Sequence, residues 1–555
     1  MIVRDISGRG FALGFLLVLA TGLAVAYANG FGIGFYFDDG YGITENPAIR
    51  SLRNIPAFFT DPFTLTPLRT NVDVRPVLVT TFAVNYAISG TDPWSYHAFN
   101  LLVHFLTAAM VFVLVRDHLW WPVGERGPSG SARIPAAAAA LFFAFAPVNS
   151  QALNYMWARS ALLCTAFYVA AFLALLRGRW ITGVALHVLA LLTKAVAFTL
   201  PVVFVLHDFL YRDRRRHPHL AAWLRDWRRL AVPVGSLAVA NVLYLLLRWR
   251  MVPAWADDYM HEGWVTPWIW FVSQWSALLH YVRIFVWPAG LSVDHDFPYT
   301  LSAADPSALL SLSVLLTWIA LALRASRRWP QVTFATLWFF VTLAPESSFL
   351  PLAEVVNDHR PYIASTVGLS VLLTWTLERG AALAGSRRRE AFVAAATVLC
   401  LAAVTVTRQR TWEWADGLRL WESTVRASPG NGRAWMNAGL AYMNAGDFGQ
   451  ARRHFEKSRE LNARYPYVYM NLVALELAEG HEDAALAWAR EAVRFGPELP
   501  RSHYSLGTVL ERQGNAAEAV AAYRLACRLD PNDAVSRAAL ARAEAMQARG
   551  NAAPR

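Results

Sequence analysis

Two adjacent carboxylates, Asp38 and Asp39, stand directly after the first long apolar segment of the sequence, residues 11–28. A carboxylate close to a membrane is costly unless it faces water or a partner, so this pair indicates a polar cleft at the bilayer surface. In a cleft, one carboxylate could act as a general base while the other orients the acceptor or holds its partner. Taken alone, the pair also fits an ordinary solvated loop, which is the simpler interpretation.

Two basic residues lie at the ends of later apolar segments. Arg159 begins one segment, and Lys194 lies at the tip between two short segments, 180–193 and 195–211. Because a helix of about 14 residues rises only about 21 Å, this tip is expected near the depth of a lipid phosphate. Snorkelling of the lysine toward the headgroups is an equally acceptable interpretation.

Polar side chains cluster at two further places. His97, Asn100 and His104 share one face of the second spanning segment, where they could line a pocket or hydrogen-bond a neighbouring helix. His359 and Arg360 open a later segment. Carboxylates and histidines are therefore expected on one side of the membrane, and clustered arginines on the other.

The triplet Asp294, His295 and Asp296 offers ligands that a hard cation prefers. No second group with ligand spacing accompanies it, so a turn capped by acidic residues is the better interpretation and no metal site is predicted. The sequence has no glycine-rich loop of the kind that binds soluble nucleotides, which argues against a nucleotide-sugar donor. The three cysteines indicate neither a disulfide framework nor a metal-binding pair.

The composition is that of a polytopic membrane protein. Of the 555 residues, 55% are hydrophobic and 16% are charged, far from the average of soluble proteins. Apolar segments recur up to about residue 408, and no later run is long enough to cross the ~30 Å hydrocarbon layer. The net charge of +11 does not indicate a nucleic-acid partner, because the arginines cluster in short loops between apolar segments.

We predict a membrane domain over residues 1–408 with about eleven spanning helices. The predicted segments are 11–28, 97–116, 134–149, 159–177, 180–193, 195–211, 230–249, 307–324, 331–350, 361–379 and 391–407. Residues 11–28 could pass for a signal peptide, but the many later segments favour a retained helix. The stretch 269–287, with Arg283 in its middle, is interpreted as re-entrant or interfacial.

Arginine placement predicts the orientation of the chain. If the N-terminus is inside, every arginine cluster falls in a predicted inner loop. These clusters are Arg116, Arg126 and Arg133; Arg177 and Arg179; Arg212, Arg214, Arg215, Arg216, Arg225, Arg228 and Arg229; Arg324, Arg327 and Arg328; and Arg379, Arg387, Arg388 and Arg389. The outer side then receives the acidic doublet in loop 29–96, the stretch 250–306, the loop 350–360 and the whole C-terminal region.

Residues 409–549 lack long apolar runs and repeat with a period of 34 residues. The positions of Trp435, Gly439 and Phe455 recur as Tyr469, Val473 and Ala489, and again as His503, Gly507 and Tyr523. This resembles the tetratricopeptide pattern, in which small residues let two helices approach closely. The predicted fold is therefore all-α: a polytopic membrane domain, then an α-solenoid of a half repeat, three full repeats and a capping helix over 534–549. Residues 550–555 are expected to be a disordered tail.

The ordered motifs resemble those of the polytopic membrane glycosyltransferases of the C superfamily, and within it the transmembrane and tetratricopeptide O-mannosyltransferases with their bacterial relatives. The resemblance covers nearly the whole chain. The motifs that carry it are Asp38-Asp39, Asn46-Pro47, Arg75-Pro76, Tyr96-His97 with Asn100 and His104, Arg159-Ser160, Lys194, Leu291-Ser292-Val293-Asp294, His359-Arg360-Pro361-Tyr362, Leu420-Trp421, Pro429 and the repeats. One departure is Ala195, where relatives commonly have a glutamate.

The resemblance implies transfer of a sugar, with mannose the first candidate, from a polyprenyl-phosphate carrier to a hydroxyl acceptor outside the membrane, with inversion at the anomeric carbon. It implies Asp38 as the base with Asp39 beside it, and Arg159, Lys194, His359 and Arg360 as contacts of the donor phosphate. Arg75, His97, Asn100, Asp294 and Asp296 are expected to line the pocket. The repeats would hold an acceptor protein or peptide, and no cofactor is implied beyond the lipid-linked sugar itself.

Two other functions fit parts of the sequence. A polymerase or ligase that uses a polyprenyl-diphosphate glycan would also need outer arginines, but not an adjacent carboxylate pair. A non-catalytic scaffold would use the repeats to recruit envelope-assembly partners. The Ala- and Arg-rich composition favours a bacterial inner membrane with the repeats in the periplasm; in a eukaryote the same topology would place them in the lumen of the endoplasmic reticulum.

Overall fold

The protein is all-helical in the computed structural model, which describes residues 8–67, 72–120, 132–212, 228–253, 264–531 and 533–552. Every regular element in these ranges is a helix, and they contain no strand. The predicted all-α fold class is confirmed. The predicted inner-loop residues Arg126, Arg214, Arg215, Arg216 and Arg225, and residues 553–555 of the predicted tail, lie outside the described residues.

In chain order, the α-helices of the described ranges are Gly8–Ala26, Ile55–Phe58, Pro76–Ser89, Trp94–Leu114, Arg133–Phe145, Ser150–Asn154, Arg159–Leu176, Trp180–Leu191, Leu200–His207, Arg228–Met251, Pro267–Val286, Pro306–Ala325, Pro330–Leu343, Tyr362–Ala364, Ser370–Ala381, Arg388–Trp414, Gly417–Ala427, Gly432–Asn444, Phe448–Leu461, Pro466–Glu479, Glu482–Phe495, Pro500–Arg512, Ala516–Leu529 and Ala534–Ala552. Wider π-helical turns occur at Gly40–Thr44, Val115–Leu119, Asp208–Arg212 and Ser365–Leu369. Such turns are rare and often lie at functional sites, and the first directly follows the acidic doublet.

Within the described residues, six helical regions are long and apolar enough to cross a membrane, or seven if the pair Arg133–Phe145 and Pro147–Asn154, bent by 47°, forms one span. The six are Arg9–Ala26, Trp94–Leu119, Arg159–Leu176, Arg228–Met251, Pro306–Ala325 and Tyr362–Trp414, the last broken at Gly385. Shorter apolar helices are Pro76–Ser89, Trp180–Leu191, Ala195–Tyr211 and Pro330–Leu343. The predicted count of about eleven includes several of these shorter helices and divides the last region in two, and it stays a prediction.

The stretch interpreted as re-entrant or interfacial forms one continuous helix of 20 residues, Pro267–Val286. It is not among the helices that length and apolarity mark as spans. Its Trp270 and Tyr281 side chains are fully buried and pack in a cluster with Phe339 and Leu343. A helix without a reversal is not a re-entrant hairpin, so that part of the interpretation is wrong.

The chain divides into two compact units: residues 1–293 with 297–416, and residues 294–296 with 417–555. The first unit extends beyond the predicted boundary at residue 408 because the helix Arg388–Trp414 continues past it. The acidic triplet 294–296 groups with the repeats, although the sequence assigns it to the membrane domain.

The second unit is a series of helix pairs that corresponds to the predicted repeats. The half repeat is Gly417–Ala427, and the capping helix continues past residue 549 to Ala552. A Cβ atom on Gly439 would lie only 2.6 Å from Cδ1 of Phe455, and one on Gly507 would lie 2.7 Å from Cδ1 of Tyr523. Glycine therefore permits the close approach of the paired helices.

We expect Gly439→Ala to loosen the first full repeat, because the Phe455 ring is fully buried and has no free space to move into. Overpacking of this kind costs about 1–3 kcal/mol. Hydrogen exchange of the full-length protein in detergent should show faster exchange over Phe448–Leu461. Gly449→Ala is the control, since its Cβ would meet nothing closer than an Asp447 oxygen at 3.6 Å. Equal exchange in the two variants would contradict the prediction.

Candidate active site

The carboxyl group of Asp39 is fully buried and joins two loops. Its Oδ2 accepts hydrogen bonds from the backbone N–H groups of Tyr36 and Met156, both at 3.2 Å, and its Oδ1 accepts one from Trp157 at 2.7 Å. Burial raises the pKa of Asp39 to about 8, although the three N–H donors act to lower it. A group sealed in this way cannot reach an acceptor, so Asp39 acts on the doublet by holding its loop in place.

Asp38 is the partly exposed member of the doublet. The phenol of Tyr155 donates a hydrogen bond to its Oδ2 at 2.8 Å. The preceding residue, Phe37, has a φ of 52°, and among the described residues it is the one non-glycine residue with positive φ. Such a conformation costs about 1–3 kcal/mol and persists where the surroundings impose it; here the anchoring of Asp39 imposes it.

Aromatic side chains pack around the acidic doublet. The Tyr36 phenol donates to the Trp414 carbonyl at 3.1 Å, and the rings of Tyr155 and Trp414 are stacked with centroids 6.5 Å apart. Behind the doublet, a Cβ atom on Gly42 would lie 2.3 Å from Cζ3 of Trp157. The loop therefore packs tightly enough to fix the direction of the Asp38 carboxylate.

Two of the predicted phosphate contacts, Lys194 and Arg360, are each close to a carboxylate. Lys194 Nζ lies 2.6 Å from Oε1 of Glu346, and both side chains are only 14% exposed. Arg360 donates from Nη1 to the carbonyl of Val355 at 3.0 Å, and its Nη2 lies 3.9 Å from Oε2 of Glu354. Both cations are therefore held in place before any ligand arrives.

Arg75 completes the cationic cluster of Lys194, Arg360 and Arg75, and His359 is the neutral side chain on which their charges act. The Arg75 Nε donates to Oδ2 of Asp73 at 2.9 Å. Burial, together with the charges of Lys194, Arg360 and Arg75, lowers the pKa of His359 well below its usual range. The charges of the three cations therefore all act on one imidazole, which is neutral at physiological pH. His359 offers a hydrogen-bonding group to a phosphate or sugar, but not a positive charge.

His359 also links the cationic cluster to the doublet. Its ring makes an edge contact with Tyr155, with centroids 6.3 Å apart, and its Nδ1 lies 3.3 Å from Oε1 of Gln151. Tyr155 in turn bonds Asp38. The fold thus brings together the accessible carboxylate, a neutral imidazole and Lys194 with Arg360, four of the predicted site residues.

Arg159 does not join this cluster. Its guanidinium is fully buried and donates to Asn100 Oδ1 at 2.7 Å, to Asn85 Oδ1 at 2.7 Å and to the Tyr96 carbonyl at 3.1 Å. The ring of Phe82 covers it at 4.8 Å. The predicted contact with the donor phosphate is therefore replaced by a structural role beside the turn that anchors Asp39.

His97 and Asn100 also hold loops instead of lining an open pocket. His97 Nε2 pairs with the carbonyl of Ile33 at 2.9 Å. Asn100 donates to the carbonyl of Leu153 at 2.9 Å while it accepts from Arg159. Both side chains are buried. These contacts agree with the alternative interpretation, hydrogen bonding between elements.

Asp294 and Asp296 are both bonded to residues at the start of the first full repeat. Asp294 accepts two hydrogen bonds from Arg433, at 2.6 and 2.8 Å, in a bidentate pair. Asp296 accepts one from the backbone N–H of Gly430 at 2.8 Å. The two carboxylates bind the start of the first full repeat, which explains why 294–296 groups with the second unit.

A further group of potential metal ligands lies in the repeats. The ligand atoms of Glu476, Glu479 and His481 all lie within 4.8 Å of one another. Arg452 donates to both carboxylates, at 2.5 Å each, and a guanidinium in that position repels a cation. The group is therefore an ion-pair network that joins the first two full repeats.

Two residues of the site, Tyr155 and Glu346, were not predicted from the sequence. Tyr155 lies in a stretch between apolar segments without any distinctive spacing, and Glu346 falls at the end of a predicted span. A glutamate inside an apolar segment is costly, and that cost is the one signal in the sequence that could have directed attention to Glu346. The carboxylate of Glu346 contacts Lys194 in space, whereas the residue that follows Lys194 in the chain is Ala195.

The fold and the site define a polytopic α-helical membrane protein with an acidic doublet, a cationic cluster and a C-terminal repeat array. The model of the family described as Tetratricopeptide repeat matches residues 432–465 and 500–533, the first and third of the predicted full repeats. A solved MamA fragment from Desulfovibrio magneticus RS-1 is 23% identical and covers 26% of this chain and 78% of its own, with a TM-score of 0.22.

The chain's homologues are transmembrane and tetratricopeptide-repeat O-mannosyltransferases, which confirms the resemblance indicated by the motifs. Protein O-mannosyl-transferase Tmtc3 of Drosophila melanogaster is 26% identical over 517 residues, covering 80% of this chain and 54% of its own length. Protein O-mannosyl-transferase TMTC3 of Mus musculus is 22% identical over 613 residues, covering 93% and 64%. The chain thus spans between half and two thirds of the length of these relatives.

We expect Tyr155→Phe to slow any reaction that uses Asp38 as a base by about 10- to 100-fold, because a hydrogen bond to a charged group is worth about 1.5–3 kcal/mol. Tyr27→Phe is a matched control, since the Tyr27 hydroxyl is buried and has no hydrogen-bond partner in the part of the chain that the structure describes. Turnover of the two purified variants would be compared with a labelled lipid-linked sugar. Equal turnover would show that the phenol does not act on Asp38.

Proposed function

We propose that this chain is an inverting glycosyltransferase that moves a sugar from a polyprenyl-phosphate carrier to a serine or threonine hydroxyl of a protein, on the extracytoplasmic face of the membrane. The relatives are named protein O-mannosyl-transferases, which favours mannose as the sugar. One observation carries the proposal: the partly exposed carboxylate of Asp38 is linked through Tyr155 to His359, a neutral imidazole under the charges of Lys194, Arg360 and Arg75.

The reaction requires a base beside the acceptor hydroxyl and cations beside the donor phosphate. The acceptor oxygen attacks the anomeric carbon and forms the new C–O bond, while its proton passes to the Asp38 carboxylate. The bond between that carbon and the phosphate oxygen breaks, and its electron pair stays on the phosphate. Lys194, Arg360 and Arg75 stabilise this added negative charge.

An apolar groove supports a donor with a long hydrocarbon chain. It has a volume of about 770 Å³ and lies between the helices Trp180–Leu191 and Arg228–Met251. Leu191 and Leu192 line one end of it, and Lys194 follows them after a single residue. An apolar groove whose lining residues lie close in the chain to a cation suits a lipid with an anionic head.

The acceptor side of the proposal rests on the repeats and on the arginine pattern. Solenoids of stacked helix pairs use extended concave surfaces to bind partners, and the relatives are named as enzymes that act on proteins. The distribution of arginines favours one outer compartment for both the doublet and the repeats. These points favour a protein acceptor over a lipid-linked glycan.

We expect Asp38→Asn to lower turnover by about 10²- to 10⁴-fold, the usual contribution of a positioned base, while donor binding is retained. The measurement uses the full-length protein in detergent with labelled polyprenyl-phosphate mannose and serine- or threonine-containing peptides. Asp61→Asn is the control, because Asp61 is exposed in the same loop and only caps a short helical turn. Unchanged turnover in the Asp38 variant would overturn its role as the base.

We expect Gly235→Phe to raise the KM for long-chain donors by about tenfold, the loss of roughly two buried methylene groups, and to leave short-chain donors unaffected. Gly235 lines the groove, and a Cβ atom there meets nothing within 4 Å. Gly14→Phe is the control, since Gly14 lies on an apolar helix with the same free space. An equal effect on both donor lengths would exclude the groove as the site of the lipid chain.

A further inference from the structure

The ammonium of Lys194 is paired with a carboxylate of the protein itself. Its Nζ lies 2.6 Å from Oε1 of Glu346, and the pair is shielded from water, with 14% of each side chain exposed. Leu191 and Leu192, which line the groove, precede Lys194 in the chain by three and two residues. An incoming phosphate therefore meets a cation that is partly neutralised by the protein itself.

Glu346 remains ionised in this setting. The ammonium of Lys194, in direct contact with the Glu346 carboxyl group, favours its ionised form. Arg75 is also paired with Asp73, at 2.9 Å. Among the acids described near the cluster, Glu346 is the one in direct contact with Lys194.

The reaction changes the charge that the site must hold. A polyprenyl-phosphate sugar is a phosphodiester with one negative charge, whereas the polyprenyl phosphate left after transfer is a monoester with about two at neutral pH, since its second pKa is near 6. Repulsion by a fixed carboxylate is proportional to the charge it acts on. A carboxylate in the site therefore weakens the binding of the product about twice as much, in free energy, as that of the donor.

We infer that Glu346 promotes release of the polyprenyl phosphate product by opposing its second negative charge beside Lys194. The inference rests on the proposed function and adds a residue to it. Three cations without this carboxylate would bind the product dianion tightly and hold the enzyme in its product complex. With Glu346 in place, the cations stabilise the leaving charge as it forms and still let the carrier go.

The test compares Glu346→Gln with the wild-type protein, both full length and in detergent. We measure the KM for polyprenyl-phosphate mannose and the inhibition constant of polyprenyl phosphate. The factor by which the inhibition constant falls should be about the square of the factor by which the KM falls. A fall of about threefold in the KM should therefore accompany a fall of about tenfold in the inhibition constant. Equal changes in the two constants, or a rise in the inhibition constant, would overturn the inference, because a merely structural role affects donor and product alike.

Two further variants keep the test decisive. Glu346→Asp retains the charge and should keep the wild-type ratio of the two constants, so a change in that ratio would overturn the inference even if the Gln variant fails to fold. Asp208→Asn removes the acid of another buried ion pair, 2.7 Å from Arg229, and should leave the ratio unchanged. A wild-type protein that neither transfers sugar nor binds polyprenyl phosphate would overturn the proposed function instead.

Discussion

The carboxyl group of Asp39, buried and bonded to three backbone N–H groups, is the contact on which the rest of the site depends. It joins the loop after the first helix to the turn at Met156 and Trp157, more than a hundred residues away in the chain. Because a buried carboxyl without partners is very costly, the loop has one arrangement that satisfies it. That arrangement points Asp38 toward Tyr155 and holds Phe37 in a left-handed conformation.

A second layer of buried polar groups supports this contact. Arg159 donates a hydrogen bond to the side chain of Asn100. Asn100 donates one to the carbonyl of Leu153, which lies close in the chain to the turn at Met156. The partners of the Arg159 guanidinium are neutral amides, carbonyls and aromatic faces. Such a network is stable only when nearly every donor is satisfied. The positive charge that resembles a phosphate contact in the sequence is thus used to position the carboxylates.

Several parts of the fold could be predicted from local pattern. An apolar run of about 20 residues forms a helix because a membrane leaves backbone groups no other partner, and most predicted segments coincide with helices. The 34-residue period likewise predicts the helix pairs, since Gly439 and Gly507 are needed where Phe455 and Tyr523 approach. The placement of the helix Pro267–Val286 was harder to predict, because its tryptophans and Arg283 suggest the membrane interface, whereas Trp270 and Tyr281 are buried in a core.

The sequence by itself determined the residue types at the site: an acidic doublet, a lysine at a short tip, and a histidine and arginine at the start of a later segment. Only the tertiary structure decided their roles. It buried Asp39 and left Asp38 accessible, enclosed Arg159, His97 and Asn100, directed Asp294 and Asp296 to the repeats, and paired Lys194 with Glu346. The reason is that burial and charge pairing depend on groups distant in the chain, so no local spacing can reveal whether a charged side chain faces a ligand or a neighbouring residue.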